Sequence, residues 1–149
     1  MSYIAGLNVT ETRTSAEGPA HALGTVGQNS DGKKYKYVEY TAGAVAAVAG
    51  NVAGYVSESD TAVTADVSTT DRVGAGVLQA AIPDGGYGWV QISGAATITT
   101  ALTAGADGNA LTLVGAGDST LDVSAAATDH VCAVAIDASA KRIKCMFPE

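Results

Sequence analysis

The stretch Tyr87-Gly-Trp-Val-Gln-Ile-Ser-Gly94 decides the fold, because it is the clearest strand in the chain. Val90 and Ile92 alternate with Trp89 and Gln91, which is the period of two expected of a strand with two different faces. We expect Val90 and Ile92 to point into a core, and Trp89 to point the other way, beside Gln91. Because a tryptophan on a polar face needs cover, either another layer of the same chain or a partner subunit must lie over it.

The composition predicts one domain with a core of small side chains. A chain of 149 residues can bury roughly two thirds of its unfolded surface. The sequence holds 29 alanines and 18 glycines but one phenylalanine and one tryptophan, and alanine and glycine contribute little apolar area. We therefore expect the fold to draw part of its stability from self-association.

Charge and hydropathy narrow the possible partners. The formal net charge is −7 and the sequence pI is about 4.6, which argues against nucleic acid as a partner because phosphate binding needs a positive surface. No apolar run reaches the ~20 residues that span a bilayer, so we expect no membrane partner. The first residues lack a basic and then apolar signal pattern, which predicts synthesis and assembly in a cytoplasm.

The pattern along the chain predicts an all-β fold. We expect a compact β-sandwich or β-barrel-like domain of about eight to ten short, mainly antiparallel strands, preceded by an N-terminal arm. Residues 1–32 are assigned to this arm or extended segment and residues 33–149 to a single β-domain. The arm is either a loose terminus or a tie between neighbouring subunits. Strands are expected near residues 35–40, 44–48, 52–57, 61–68, 73–82, 87–94, 97–102, 111–114, 121–124, 131–136 and 141–146, with a helix as the alternative at 44–49.

Two motifs near the start of the β-domain resemble ligand sites. Residues 27–33 match the beginning of a phosphate-binding loop, but Lys34 replaces the required serine or threonine and a strand follows, so an Asn-Ser-Asp-Gly turn is favoured. Residues 33–40 interleave lysine and tyrosine, as single-strand nucleic-acid platforms do. An edge strand protected by lysine explains that pattern equally well.

The C-terminus predicts a hairpin that carries both cysteines. If Ile136 lies opposite Lys141, then Cys132 lies directly opposite Cys145. A cross-strand disulfide is then conceivable, and reduced, buried thiols are favoured for a cytoplasmic protein. A zinc site would need four ligands, and His130 is the one further candidate nearby, so no metal site is predicted.

The sequence offers no catalytic arrangement. The two histidines, His21 and His130, lie in a loop-like segment and at the start of a strand. There is no Gly-x-Ser-x-Gly elbow, and the carboxylates are scattered over loops. We expect neither enzymatic activity nor a cofactor.

Several pieces of the chain resemble small structural proteins of tailed-bacteriophage heads. The most specific unit is the aromatic-Gly-Trp-Val-Gln-x-x-Gly stretch. It is accompanied by the Asp31-Gly32 turn with the Tyr35/Tyr37/Val38 strand, by residues 73–78 and by Leu102-Thr-Ala-Gly105. The resemblance covers residues 24–147 as a pattern of strands and turns. It implies a capsid decoration or cement protein, a β-domain that is often trimeric and clamps adjoining capsomers from outside the shell.

This resemblance sets the expected partners and location. The partners are the major capsid protein and further copies of the chain as a homotrimer, and the location is the exterior of the virion. We expect the N-terminal segment and the Trp89 face to make the contacts with the capsid or with other subunits. The predicted interface residues are Tyr3, Ile4, Leu7, Val9, Tyr35, Tyr37, Tyr87, Trp89 and Gln91.

Two alternative functions remain at this point. A head-fibre or tail-associated virion protein would occur in few copies, and it would carry a longer host-binding region. A ligand- or carbohydrate-binding β-sandwich would need an exposed aromatic platform, which Tyr55, Tyr87 and Trp89 could supply.

Overall fold

The protein is all-β, as the alternating pattern predicts. The computed structural model describes the backbone of residues 3–149 and the side chains from Gly6 onward. Within this range there are twelve strands and one short 3₁₀ turn, Val67–Thr69. The strands are β1 (Tyr3–Ala5), β2 (Val26–Gln28), β3 (Lys34–Tyr40), β4 (Val52–Val56), β5 (Ala62–Thr64), β6 (Thr70–Leu78), β7 (Tyr87–Gln91), β8 (Ser93–Thr97), β9 (Ala110–Thr112), β10 (Asp122–Val123), β11 (Val131–Asp137) and β12 (Arg142–Met146).

The larger sheet closes on itself. Its seven strands follow the order β1-β2-β3-β5-β4-β6-β7, and β7 also pairs with β3. Strands β3, β5, β4, β6 and β7 therefore form a closed, five-stranded barrel, which removes the free edges of those strands. Strands β1 and β2 extend this sheet from β3, and the pairings β1–β2 and β3–β5 are parallel while the others are antiparallel.

The smaller sheet packs against the barrel. It has the order β10-β9-β11-β12-β8, and all of its pairings are antiparallel. The chain passes directly from the barrel to this sheet between β7 and β8, at Ile92. Ile92 is 1 % exposed and Val90 is fully buried, and both belong to the main core, as predicted.

Glycines allow the two sheets to approach each other closely. A β-carbon on Gly74 of β6 would lie 2.8 Å from the ring of Phe147 and 2.9 Å from Sγ of Cys132. Both of those residues belong to the smaller sheet or its C-terminal extension. The absence of a side chain at Gly74 therefore lets the two sheets approach closely, and it explains how a core rich in alanine can still be closely packed.

Two predicted strands are wrong, because side chains satisfy the backbone there in place of a sheet. Residues 44–48 form the end of a turn followed by irregular backbone, neither strand nor helix. The Asp66 carboxylate accepts the Ala44 N–H, and the Tyr40 hydroxyl donates to the Val45 carbonyl. Residues 98–102 follow β8 without forming a strand. There the Thr120 hydroxyl donates to the carbonyls of residues 100 and 101.

The C-terminal hairpin forms, but its register differs from the predicted one. Cys145 lies opposite Ala133, and the register shifts between Ala135 and Asp137. An irregularity of this kind places one extra residue, here Ile136, in one strand. The prediction that Cys132 faces Cys145 directly is therefore wrong. Both cysteines are free thiols and buried.

The buried thiols are expected to resist modification. Burial raises the pKa of Cys132 and that of Cys145 to about 12. Since the thiolate is the nucleophile, alkylation by iodoacetamide at about pH 8 should be slow in the folded protein and fast after unfolding. Mass spectrometry of timed samples measures this. Equal rates in the folded and the unfolded protein would contradict the burial of the two side chains.

Aspartates hold several loops by accepting backbone N–H groups. Asp71 accepts from Glu58 N at 2.8 Å and from the Ser57 hydroxyl at 2.8 Å. Asp129 accepts from the backbone N of residues 126 and 125. These hydrogen bonds lower the pKa of both carboxyls below the usual 3.8, because they stabilise the ionised form.

The protein should consequently lose stability in acid. A carboxyl whose pKa is lowered on folding contributes stability above its unfolded pKa, and that contribution is lost as the pH falls through its folded pKa. The urea concentration at the midpoint of unfolding is thus expected to stay constant down to about pH 5 and to decrease once the pH is below about 3.8. Asp71→Asn should make this fall shallower. A wild-type midpoint that is the same at about pH 5 and about pH 2.5 would contradict the role of these carboxylates.

Candidate functional site

The register of β3 and β7 brings the predicted aromatic residues onto one face of the barrel. Tyr37 lies opposite Trp89, Tyr35 lies opposite Gln91, and Glu39 lies opposite Tyr87. Because side chains alternate along each strand, these positions share the outer face of the barrel wall. The same alternation sends Val38 and Tyr40 into the main core.

The tyrosines and the tryptophan form a second, separate core. We call Tyr35, Tyr37 and Trp89 the aromatic cluster; their exposed fractions are 4 %, 2 % and 3 %. The rings of Tyr37 and Trp89 lie 5.0 Å apart, edge to face. His21 lies against both, with ring centroids 5.2 Å from Tyr37 and 5.3 Å from Trp89. Pairs in this geometry contribute about 0.5–1.5 kcal/mol beyond their buried area.

Residues 6–25, here the N-terminal segment, supply the cover of this cluster. Leu7, Val9 and Leu23 pack against the cluster together with the half-buried Tyr87. The segment contains no strand, and one isolated bridge joins Arg13 to Tyr87. In this bridge each backbone N–H donates to the other residue's carbonyl, at 3.0 and 2.8 Å.

Further hydrogen bonds fix both ends of the N-terminal segment. Near its start, Leu7 N donates to Oδ1 of Asn29 at 2.7 Å. Near its end, Ala20 N donates to the Tyr37 hydroxyl at 3.0 Å, and Gly24 N donates to the Tyr37 carbonyl at 2.8 Å. The segment is therefore a docked layer of the domain.

Most of the predicted interface residues come together in space. Tyr35, Tyr37, Trp89, Tyr87 and Gln91 share one face of the β3–β7 pair, and Leu7 and Val9 pack on it. The backbone of Tyr3 and Ile4 forms β1, and their side chains lie outside the described part of the structure.

The sequence predicts that Trp89 is covered either by another layer of the same chain or by a partner subunit. In the structure, residues of the same chain cover it. That these residues contact a capsid or another subunit stays a prediction. In the fold described, a partner meets the N-terminal segment first, and the buried rings only if that segment moves.

His21 is the residue of this face that sequence reasoning missed. It stands alone in a polar, loop-like stretch, and no local pattern marks it as a packing partner of two aromatic rings. Leu23, three positions before β2, also packs on this face. The pairing of a loop with a distant strand is a tertiary feature that periodicity does not carry.

Lys36 shows that β3 is a central strand. The prediction of a lysine-protected edge is wrong, because β3 pairs with β7 on one side and with β2 and β5 on the other. Lys36 is 7 % exposed, its ammonium donates to the Tyr55 hydroxyl at 2.7 Å, and it lies 4.8 Å from the centre of that ring. The rings of both predicted platforms are covered. Tyr35 and Tyr37 of the lysine–tyrosine strand are 4 % and 2 % exposed, Tyr55 and Trp89 are 8 % and 3 % exposed, and Tyr87 is half-buried.

Two grooves on the described part of the surface differ in charge. One, of about 610 Å³, lies above Lys36 and Tyr55 and is bordered by acidic residues: Glu58, Asp60, Asp71 and Glu149. The other, of about 410 Å³, lies beside β8 and is bordered by Lys33 and Arg142. Within residues 3–149, no group of three or more metal-ligating side chains is found. No helix in the same range has the length and apolar character needed to cross a membrane.

Residues 29–33 form the turn between β2 and β3, as expected of the Asn-Ser-Asp-Gly stretch. Gly32 N donates to the Asn29 carbonyl, and Lys33 N donates to Oδ1 of Asp31. No family model, no curated protein and no solved structure matches this chain.

Proposed function

We propose that this chain is a structural virion protein that binds the outside of a bacteriophage capsid and stabilises the junctions between capsomers. The observation that carries the proposal is the N-terminal segment lying as a separate layer over the aromatic cluster. This layer and the main core share no buried side chains. A surface layer of this kind can adapt to a partner while the barrel and the smaller sheet keep their packing.

The composition supports the same role. A domain built on alanine, glycine and valine has little apolar area to bury by itself, so contacts with further copies and with a shell add stability that the isolated chain lacks. We propose a homotrimer, in which three N-terminal segments face the shell. Weak contacts repeated over several subunits give strong attachment through their number.

The segment itself suits a contact surface. It combines exposed polar residues with the partly buried Leu7, Val9 and Leu23, which lie close to the surface of the domain. Interfaces of standard size combine an apolar centre with a polar rim. Residues 10–20 would supply the rim and the three apolar residues the centre.

Copy number tests the proposal most directly. Quantitative mass spectrometry of density-banded, DNA-containing particles would compare this chain with the major capsid protein. Hundreds of copies, in a simple ratio to the capsid protein, are expected. A dozen or fewer copies would place the chain in a fibre or a tail, and absence from the particles would overturn the virion role.

A deletion tests the contact surface. Removal of residues 1–24 is expected to abolish binding to particles that lack the protein, as measured by co-sedimentation. The exposed apolar residue Met146 lies on the opposite sheet, so Met146→Ala serves as a control and should bind like the wild type. A deletion variant that is folded by circular dichroism and still binds would refute the assignment of this surface.

A further inference from the structure

Among the strands of residues 3–149, β8 has one edge that pairs with no other strand. It is the last strand of the smaller sheet, and its partner among these strands is β12. The hydrogen-bonded positions are the even ones, since Ile98 N donates to the Lys141 carbonyl and Phe147 N donates to the Ile92 carbonyl. The backbone groups of Ser93, Ala95 and Thr97 therefore point away from β12.

Part of this edge is closed by side chains. The Gln91 amide donates to the carbonyls of Ser93 and Ala95, at 3.1 and 2.9 Å. The stem of Lys33 passes over Gly94, where an added β-carbon would lie 2.9 Å from Cγ of the lysine. Gln91 thus acts in place of a neighbouring strand along the first half of β8.

The second half of the edge stays open. Within the described residues, no hydrogen bond joins the N–H of Ala95, or the N–H or C=O of Thr97, to another group on this side. The side chain of Thr97 is exposed. Unpaired strand edges are templates for a further strand, and proteins usually cover them.

A groove of about 410 Å³ lies along this open edge. Residues Val77–Gln79 of the β6 end form part of its lining, together with Ala49 and Gly50. At a rise of ~3.3 Å per residue, the open part of β8 accommodates about three residues of an extended chain. The volume lies within the range of ~300–1,000 Å³ typical of ligand sites.

The charge of the groove selects its ligand. Lys33 and Arg142 border it, and no acidic residue does. The chain carries only 8 basic residues against 15 acidic ones, so a purely basic groove stands out from the rest of the surface. Arginine and lysine beside open backbone donors favour a chain that bears carboxylates.

We propose that the open edge of β8 binds an extended, acidic peptide segment of a partner protein as an additional strand. The N–H and C=O of Thr97 pair with the backbone of the segment, and Lys33 and Arg142 pair with its carboxylates. Backbone pairing provides affinity and the flanking cations provide selectivity, as in other cases of strand addition. The inference stands on the edge and the groove, and it holds whether or not the chain belongs to a capsid.

The test uses defined peptides and the full chain. The probe is a fluorescein-labelled, eight-residue peptide of alternating valine and glutamate. Two controls are the same peptide with lysine in place of glutamate and an acidic peptide methylated at alternate backbone nitrogens. Fluorescence anisotropy should show saturable binding of the acidic peptide. The affinity of the methylated peptide and that of the lysine peptide should be lower by at least about tenfold, which corresponds to ~1.4 kcal/mol.

Two further readouts locate the binding. Hydrogen exchange followed by NMR should show a fast-exchanging Thr97 amide in the free protein that becomes protected on addition of the acidic peptide. Arg142→Glu should lower the affinity for the acidic peptide and raise the affinity for the lysine peptide. Lys144→Glu is the matched control, because Lys144 is exposed on the same strand and does not line the groove, and it should change binding little.

Three outcomes would overturn the inference. The first is no saturable binding of the acidic peptide at millimolar concentration. The second is equal affinity for the methylated and the unmethylated acidic peptide, which would show that backbone pairing does not contribute to binding. The third is an equal effect of Arg142→Glu and Lys144→Glu on peptide affinity. The selectivity would then come from the overall charge of the protein and not from the groove.

Discussion

Trp89→Ala is expected to lower the free energy of unfolding by about 3–5 kcal/mol, the range for removal of a buried tryptophan or phenylalanine ring. Trp89 is 3 % exposed and contacts the rings of Tyr37 and His21. The N-terminal segment has little sheet pairing of its own, so the cavity left by the indole would remove much of what holds the segment down. Urea denaturation followed by circular dichroism measures the loss.

The N-terminal segment should then become accessible. Limited proteolysis of Trp89→Ala is expected to cut within residues 6–25 well before the barrel is cut, because local opening leaves the main core packed. Trp89→Phe keeps an aromatic ring and should lose less stability and resist cleavage better. Met146→Ala removes an apolar side chain that is 49 % exposed and should stay within about 0.5 kcal/mol of wild type.

A double-mutant comparison tests whether the N-terminal segment packs on Trp89. If the segment and Trp89 stabilise each other, deletion of residues 1–24 and Trp89→Ala should not be additive, because each removes the same contacts. The combined loss should then be smaller than the sum of the single losses. Additive losses, or a loss below about 0.5 kcal/mol for Trp89→Ala alone, would show that the segment does not pack on the cluster in solution.

The faces of β3 and β7 could be predicted because a period of two is a local property. Trp89 and Val90 lie on opposite faces of β7, and Tyr37 and Val38 lie on opposite faces of β3, as their spacing requires. That Tyr37 lies directly opposite Trp89 could not be predicted. Pairing depends on how the barrel closes across about fifty residues of intervening chain, and no local pattern carries that information.

Other features were unpredictable for different physical reasons. The shift at Ile136 adds one residue to β11. Residues 131–136 are all apolar, so no alternation of polar and apolar residues marks the position of this shift. Residues 98–102 are β-branched enough to favour a strand, yet side-chain hydrogen bonds from Thr120 and Lys141 satisfy their carbonyls. The open edge of β8 is a property of sheet order, so it became visible only with the fold.

Gly76→Ala is the second substitution with a large expected effect, about 3 kcal/mol of lost stability. Gly76 has φ +154°, a conformation that L-residues rarely adopt. A β-carbon there would lie 2.7 Å from the Gln91 carbonyl oxygen and 2.9 Å from Val90 Cβ. Overpacking costs about 1–3 kcal/mol, and a backbone conformation that is essentially restricted to glycine costs a further amount on the order of 1–3 kcal/mol.

The site of the clash gives this substitution a second consequence. Gly76 precedes Val77, which pairs with Gln91 where β6 joins β7, and β7 also carries Trp89 and closes the barrel on β3. A displaced β7 would loosen both the barrel and the aromatic cluster. Gly76→Ala should therefore weaken tryptophan burial, seen as a red shift of the emission before global unfolding.

Gly108→Ala provides the matched control. Gly108 also has a positive φ, +84°, but an added β-carbon there would have no atom within 4 Å. This variant measures the backbone cost alone, about 1–2 kcal/mol, and should leave the tryptophan emission unchanged. Equal losses of stability for Gly76→Ala and Gly108→Ala would mean that the contact between the added β-carbon and β7 is not destabilising. Strands β6 and β7 would then be less closely packed than in the structure.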